Sequence, residues 1–201
     1  MIPFPDKKYQ IIYADPPWSY NDKMEMKGVH GKIRGAKSFY PTMSIREIKS
    51  LPIPDMADDN CILFLWATMP LLQEALDVIK AWGFQYKTCG FVWVKKTSQG
   101  RNHVGMGHYT RGNAELCLIG TKGKLKRING SISQIVETVV REHSKKPNLV
   151  RKLIVDLYGD IPRIELFARG DKARDLFDFN RFDGWDVFGN QVEDTISLTE
   201  K

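Results

Sequence analysis

Asp15-Pro16-Pro17-Trp18 places an acid, two prolines and an aromatic directly after an apolar run at residues 11–14. In an open α/β sheet, ligands bind at the carboxyl ends of the strands, which is where this group is expected. The Asp15 carboxylate and the Pro16 carbonyl can accept hydrogen bonds from an amino group. The prolines remove backbone donors, and Trp18 offers a stacking face. The group therefore suits binding of a planar base through its exocyclic amino group.

Three later patterns carry groups that suit a small polar ligand. HSKKP places Lys146 before a predicted helix start, and a lysine beside a helix N-terminus suits a carboxylate. ELFAR is a strand that ends in Arg169. GNQ supplies the amides of Asn190 and Gln191, which suit ribose hydroxyls or a purine edge. Taken singly, each pattern is equally compatible with a turn, a solvated charge or a surface ion pair.

Length and composition are those of an ordinary globular protein. The 201 residues, 42% hydrophobic and 27% charged, predict one domain with a loose tail over 192–201. No apolar run is long enough for a membrane span and no leader is evident, so a cytoplasmic protein is expected. Cys61, Cys89 and Cys117 lie in apolar segments without metal-ligand spacing, which predicts reduced core thiols.

The positive charge is concentrated in one part of the chain. Net charge is +6, and residues 95–127 hold eight basic residues against Glu115 alone. Such a segment suits a polyanion, although a solvated surface would look the same.

Strand and helix patterns alternate along the chain and predict an α/β fold with a mainly parallel sheet. Strands are predicted over 9–14, 60–66, within 84–94, and over 114–120, 132–140, 163–168 and 184–188. Helices are predicted over 44–51, after a Thr68 cap as far as Gly83, and from Pro147 to Gly159. Two long loops, 19–39 and 95–113, follow strands and are expected on the ligand edge.

Several common chemistries find no support in the sequence. There is no Walker A pattern, and Gly105-Met106-Gly107 does not join a strand to a helix as a dinucleotide loop would. His103 and His108 share a loop, but their spacing is weak as a metal signal, so no metal is predicted.

The order of the patterns along the chain resembles one protein family. DPPW, then Glu115-Leu-Cys-Leu-Ile-Gly120, then HSKKP, ELFAR and GWDVFGNQ occur between Tyr9 and Gln191. This order is similar to that of the permuted adenine amino-methyltransferases, the MT-A70-like family. The family includes the catalytic subunit of the eukaryotic messenger-RNA adenosine methyltransferase and many bacterial and phage enzymes.

The resemblance implies a Rossmann-like fold with helices on both faces of the sheet and S-adenosylmethionine as cofactor. The strand with the catalytic motif would come first and the cofactor strand late. Asp15 would contact the cofactor, the target amino group, or both. The implied catalytic residues are Asp15, Pro16, Pro17, Trp18 and Tyr40, and the implied cofactor-binding residues are Asp15, Lys146, Glu165, Phe167, Arg169, Asn190 and Gln191.

The resemblance also implies a nucleic-acid substrate, with DNA favoured and RNA left open, and a homodimer or a paired subunit. A base in a duplex must be flipped out to reach such a pocket. The two loops would supply phosphate contacts from Lys23, Lys27, Lys32, Arg34, Lys95, Lys96, Arg101 and Arg111.

The sequence leaves two alternatives to an active methyltransferase. One is a catalytically silent, nucleic-acid-binding partner subunit, although silent members lose the DPPW acid or aromatic, and this chain keeps both. The other is an unrelated α/β enzyme with a chance DPPW, which the four later patterns argue against.

Overall fold

The described residues of this computed structural model, 6–19, 42–107, 109–140, 145–168 and 184–189, form a central sheet with helices packed on it. The strands are β1 (Tyr9–Ala14), β2 (Ala57–Ala67), β3 (Gln85–Lys96), β4 (Ala114–Lys122), β5 (Ile135–Val139), β6 (Arg163–Leu166) and β7 (Asp186–Phe188). The helices are α1 (Ile45–Lys49), α2 (Ile53–Met56), α3 (Leu72–Ala81) and α4 (Leu149–Tyr158), with a 3₁₀ turn over Met69–Leu71.

The strand order is β5-β3-β4-β2-β1-β6-β7, and β4 alone among them runs antiparallel to its neighbours. The prediction of a mainly parallel sheet is therefore confirmed. β1 pairs with β2 on one side and with β6 on the other, so the chain leaves β1 and β6 in opposite directions. The carboxyl ends of β1 and β6 thus flank a topological switch point, where open α/β sheets bind ligands.

The two faces of the sheet carry separate hydrophobic cores. Ile12 and Ala14 of β1 pack with α1, α2 and α3, whereas Ile11 and Tyr13 pack with α4. This alternation follows from the two-residue repeat of a strand, because successive side chains point to opposite faces. Helices on both faces, as the sequence predicts, are confirmed.

Two helix ends agree with the sequence patterns, whereas two helix starts differ, because α4 begins at Leu149 rather than at Pro147 and α3 lacks its expected cap. Ser44 and Glu47 form the expected capping box of α1, and Gly159 ends α4 with φ +88°. The Thr68 cap is wrong, because its hydroxyl makes no capping bond and the 3₁₀ turn containing Pro70 comes before α3. The short helix α2 was not predicted, because four residues are too few to show a helical repeat.

The predicted reduced thiols are confirmed. Cys61 and Cys117 are buried, Cys89 is half-buried, and all three are free. Within the described ranges, every helix falls short of the length and apolar character that crossing a bilayer would require.

Candidate active site

Four charged side chains meet at the carboxyl edge of the sheet. Asp15 follows β1 directly, Lys95 lies at the end of β3, and Lys146 precedes α4. Because β4 is antiparallel, its first residues lie at this same edge, and Glu115 pairs in register with Trp93 of β3. Residues far apart in sequence are thereby brought together at one place.

The four charges form a connected cluster of ion pairs. Lys146 Nζ donates to both carboxylate oxygens of Asp15, at 2.8 and 2.9 Å, and lies 3.2 Å from Glu115 Oε2. Lys95 Nζ donates to Glu115 Oε1. The side chain of Lys146 is 9% exposed and that of Asp15 17% exposed, so the Asp15 carboxylate remains within reach of a ligand.

Both central members of the cluster are held in their charged forms. Burial lowers the pKa of Lys146, but the carboxylates of Asp15 and Glu115 more than offset this, and its pKa lies above the usual range. Burial raises the pKa of Glu115, but Lys146 and Lys95 outweigh burial, and its pKa falls below the usual range. Lys146 and Glu115 therefore both carry a full charge near neutral pH.

Buried aromatic rings support the cluster from beneath. Lys146 Nζ lies 5.5 Å from the ring centre of Trp66, and Lys95 Nζ lies 5.0 Å from that of Trp93. The two indoles pack edge to face at 6.3 Å, and Trp66 Nε1 donates to the Tyr13 hydroxyl at 2.7 Å. The ring faces stabilise the ammonium groups through cation–π contacts, so the two indoles support the cluster from the core side.

Glu115 is the functional residue that sequence reasoning missed. It was assigned only to a strand pattern, although it is the one acid within the basic segment 95–127. That isolation was the available signal, because a lone carboxylate among lysines attracts them when it is buried.

Trp18 does not provide the stacking face that the sequence predicted. Its side chain is 4% exposed, and its indole Nε1 donates to the Trp66 carbonyl at 3.1 Å. The backbone N–H of Trp18 donates to the Pro16 carbonyl at 2.8 Å, which leaves one lone pair on that oxygen. The Pro17 carbonyl accepts a hydrogen bond from the backbone N–H of Met43 at 2.9 Å. Trp18 thus anchors the turn that presents Asp15.

Glu165, implied as a cofactor ligand, is engaged by α4. Both of its carboxylate oxygens accept from the Arg151 guanidinium, Oε1 from Nη2 at 2.8 Å and Oε2 from Nε. Each side chain is 9% exposed. Arg151 also donates to the side chain of Asn148 at 2.8 Å. The pair fixes the start of α4, and so the position of Lys146, relative to β6.

The end of β6 has an unusual backbone. Phe167, implied as a cofactor residue, has φ +62°, the one positive value at a non-glycine residue in the described ranges. A Cβ on Gly189 would lie 2.4 Å from the carbonyl oxygen of Ala168, so the chain after β7 approaches β6 very closely. Backbone strain of this kind costs about 1–3 kcal/mol and collects at functional sites.

The structure divides the predicted nucleic-acid contacts of the 95–113 loop. Lys95 is taken up by the cluster, and Lys96 pairs with Glu137 at 2.9 Å and with the Asn102 side chain at 2.9 Å. Arg101 and Arg111 are exposed and form no ion pair with the described residues. Lys95 is therefore engaged in the ion-pair cluster, and its contact with phosphate stays a prediction.

We expect separate effects from these residues. An Arg101→Ala/Arg111→Ala double variant should bind nucleic acid more weakly. The slope of log affinity against log salt concentration should fall by about 2, with cofactor affinity unchanged. Lys95→Ala should instead lower cofactor affinity, because Glu115 loses one of its two lysine partners and the charge cluster is weakened. It should leave the slope of affinity against salt concentration unaltered. DNA titrations at several salt concentrations check this, with Lys87→Ala at the amino end of β3 as control. A reduced salt slope for Lys95→Ala would contradict the assignment.

Several predicted residues lie outside the described ranges. They are Tyr40, Lys23, Lys27, Lys32, Arg34, Arg169, Asn190 and Gln191. Their roles stay predictions.

The fold is that of a Rossmann-like α/β protein, and the charged cluster lies at the switch point of its sheet. The MT-A70 family model matches residues 9–191, so the chain belongs to the MT-A70 family. This confirms the resemblance drawn from the motif order and the expected methyltransferase fold.

Comparisons with individual proteins agree. The chain is 35% identical to the type II methyltransferase M.MunI of Mycoplasma sp, over 94% of this chain and 80% of that protein. It is 30% identical to the N(6)-adenosine-methyltransferase MT-A70-like protein of Drosophila melanogaster, over 92% of this chain and 27% of that one. It is 28% identical to the N6-methyladenosine RNA methyltransferase MTA1 of Cryphonectria parasitica, over 92% of this chain and 52% of that protein. The assignment as an adenine-specific methyltransferase is confirmed.

Proposed function

We propose that this protein transfers a methyl group from S-adenosylmethionine to the 6-amino nitrogen of adenine in DNA. One observation carries the proposal. The Asp15 carboxylate stands at the carboxyl end of β1, beside the switch point, held by Lys146 and still partly exposed. An anionic acceptor at such a position suits a ligand that presents N–H groups.

The target nitrogen needs help because its lone pair is delocalised into the adenine ring. Hydrogen bonds from the amino group to Asp15 and to the remaining lone pair of Pro16 would favour the positive charge that develops on it. Both acceptors are fixed before the substrate arrives, Asp15 by Lys146 and Pro16 by the Trp18 N–H. Neither proline offers a competing backbone donor.

No strong general base is required at this site. The amine becomes acidic only after the new N–C bond forms, and water can then take its proton. The acceleration would come from positioning and from the fixed negative charge of Asp15.

The residues at the switch point fit S-adenosylmethionine. Its amino-acid part carries an ammonium and a carboxylate, and the cluster offers charges of both signs, with Lys146 lying 2.8 Å from Asp15 and 3.2 Å from Glu115. A cleft of about 140 Å³, lined in part by Trp93, Lys145, Lys146 and Pro147, borders the cluster. When bound, the cofactor supplies a methyl group on a positively charged sulfur. Lys146 would hold the carboxylate.

DNA is favoured over RNA by the extent of similarity. The chain spans 80% of the type II methyltransferase but only 27% and 52% of the adenosine and RNA methyltransferases. Exposed Arg101 and Arg111 suit the phosphate backbone of either polymer.

A methyl-transfer assay tests the proposal. The purified protein would be incubated with methyl-labelled S-adenosylmethionine and unmethylated plasmid DNA, the same DNA after heat denaturation, or RNA transcribed from it. We expect label in N6-methyladenine released from DNA by nuclease digestion. Label in RNA alone would favour the RNA alternative. Cofactor binding without transfer to any polymer would favour the silent partner.

A further inference from the structure

The loop between β3 and β4 carries exposed apolar side chains at its outer end. Tyr109 is fully exposed, and Val104 and Met106 are 70% and 74% exposed. Single exposed apolar residues are common, but three within six positions form a patch that needs an explanation. The same segment carries the exposed Arg101 and Arg111 and, over 95–113, contains no acidic residue.

Backbone hydrogen bonds give this loop a defined shape. The chain turns back after β3. The Thr97 N–H donates to the Arg101 carbonyl at 2.8 Å, and the His103 N–H donates to the Lys95 carbonyl at 2.8 Å. It then narrows where Gly105 N–H donates to the Gly112 carbonyl at 3.0 Å. The exposed apolar side chains thus lie on a loop whose backbone is held by hydrogen bonds.

Glycines allow the two arms of the loop to come this close. A Cβ on Gly105 would lie 2.2 Å from the Gly112 carbonyl oxygen, and one on Gly107 would lie 2.0 Å from that of Thr110. The Gly105-Met106-Gly107 sequence, which fits no dinucleotide loop, therefore makes a narrow tip. Met106 lies between these glycines at the tip, and its side chain is exposed.

The loop is continuous with the active site. Its arms end at Lys95 and Glu115, which are members of the ion-pair cluster with Asp15 and Lys146. A duplex held by the arginines of this loop would also meet its apolar tip.

We propose that Met106 and Tyr109 form a wedge that enters a duplex DNA base step and keeps the target adenine out of the stack. This rests on the proposed function, because the flipped base is the methyl acceptor. Side chains of this kind unstack base steps in DNA-bending proteins, and phosphate contacts from nearby basic residues hold the duplex against them. Tyr109 covers a base face, and the flexible Met106 fills the remaining gap.

The test compares duplex with single-stranded DNA, using the full chain with Met106→Ser/Tyr109→Ser. Methyl transfer to duplex plasmid should fall roughly tenfold to a hundredfold, the range expected for lost base stacking, while transfer to heat-denatured plasmid stays unchanged. Permanganate oxidation of unstacked thymines in the bound plasmid supplies a readout independent of methylation. Reactive thymines should appear with the wild type and disappear with the double variant.

Two control variants complete the design. Ile128→Ser alters an equally exposed apolar residue in the β4–β5 connection and should behave as wild type. Tyr109→Phe keeps the ring and should retain duplex activity.

Equal loss on duplex and single-stranded DNA would overturn the wedge, as would wild-type behaviour of the double variant in both assays. Reactive thymines absent with the wild type would also overturn it, even where methyl transfer to single strands succeeds. A wild type that self-associates in sedimentation while the double variant does not, with duplex opening unaffected, would assign the patch to a second copy instead. Absence of transfer to every polymer with thymines still exposed would reject methyl transfer as the function, while showing that the loop tip still opens the duplex.

Discussion

Asp15→Asn is expected to lower the rate of methyl transfer by at least about a hundredfold, the usual cost of removing one preorganised electrostatic group from an active site. Asparagine keeps the shape of the side chain and one acceptor oxygen. It removes the negative charge that would stabilise positive charge on the adenine nitrogen. Its amide N–H groups would also oppose the Lys146 ammonium, which now lies 2.8 Å from the carboxylate.

Single-turnover rates and cofactor titrations would measure this effect separately on chemistry and on binding. We expect a larger fall in rate than in cofactor affinity, because Lys146 keeps Glu115 as a second partner. Asp59→Asn, an exposed acid near the amino end of β2, is the matched control and should be neutral. A rate for Asp15→Asn within about threefold of wild type would contradict the role of Asp15.

Arg151→Ala should reduce the free energy of unfolding by about 3–5 kcal/mol, because it leaves the Glu165 carboxylate buried without its partner. For a chain of this size the corresponding fall in melting temperature is roughly 10 °C. Lys152→Ala in the same helix is the control. It breaks an exposed pair with Asp156 that is worth about 0.3–0.5 kcal/mol.

An Arg151→Met/Glu165→Leu double variant then asks what Glu165 does. Replacing the whole buried pair by apolar side chains should recover most of the lost stability. We expect cofactor affinity to recover with it, as an anchoring role for Glu165 requires. Recovered stability with persistently weak cofactor binding would instead make Glu165 a cofactor ligand. Equal effects of Arg151→Ala and Lys152→Ala would show that the pair does not fix α4.

Most of the secondary structure could be predicted because it depends on local patterns. The apolar run of β1, the capping box of α1 and the glycine after α4 each act within a few residues. The predicted Thr68 cap was wrong because a threonine two residues before a proline is compatible with the start of an α-helix and with that of a 3₁₀ turn.

The site was predicted only in part. Asp15 and Lys146 were recognised, but each was assigned a separate partner, whereas the folded chain pairs them across 131 positions. Trp18 was read as exposed, because sequence shows an aromatic beside a turn but not the Trp66 carbonyl that binds its indole.

The sequence by itself determined the strand-and-helix alternation, the order of the motifs and hence the MT-A70 family. The tertiary structure alone decided which charges meet. The antiparallel direction of β4 brings Glu115 to the carboxyl edge, where it holds Lys95 and Lys146. Strand direction and register depend on contacts between distant segments, which no local pattern encodes.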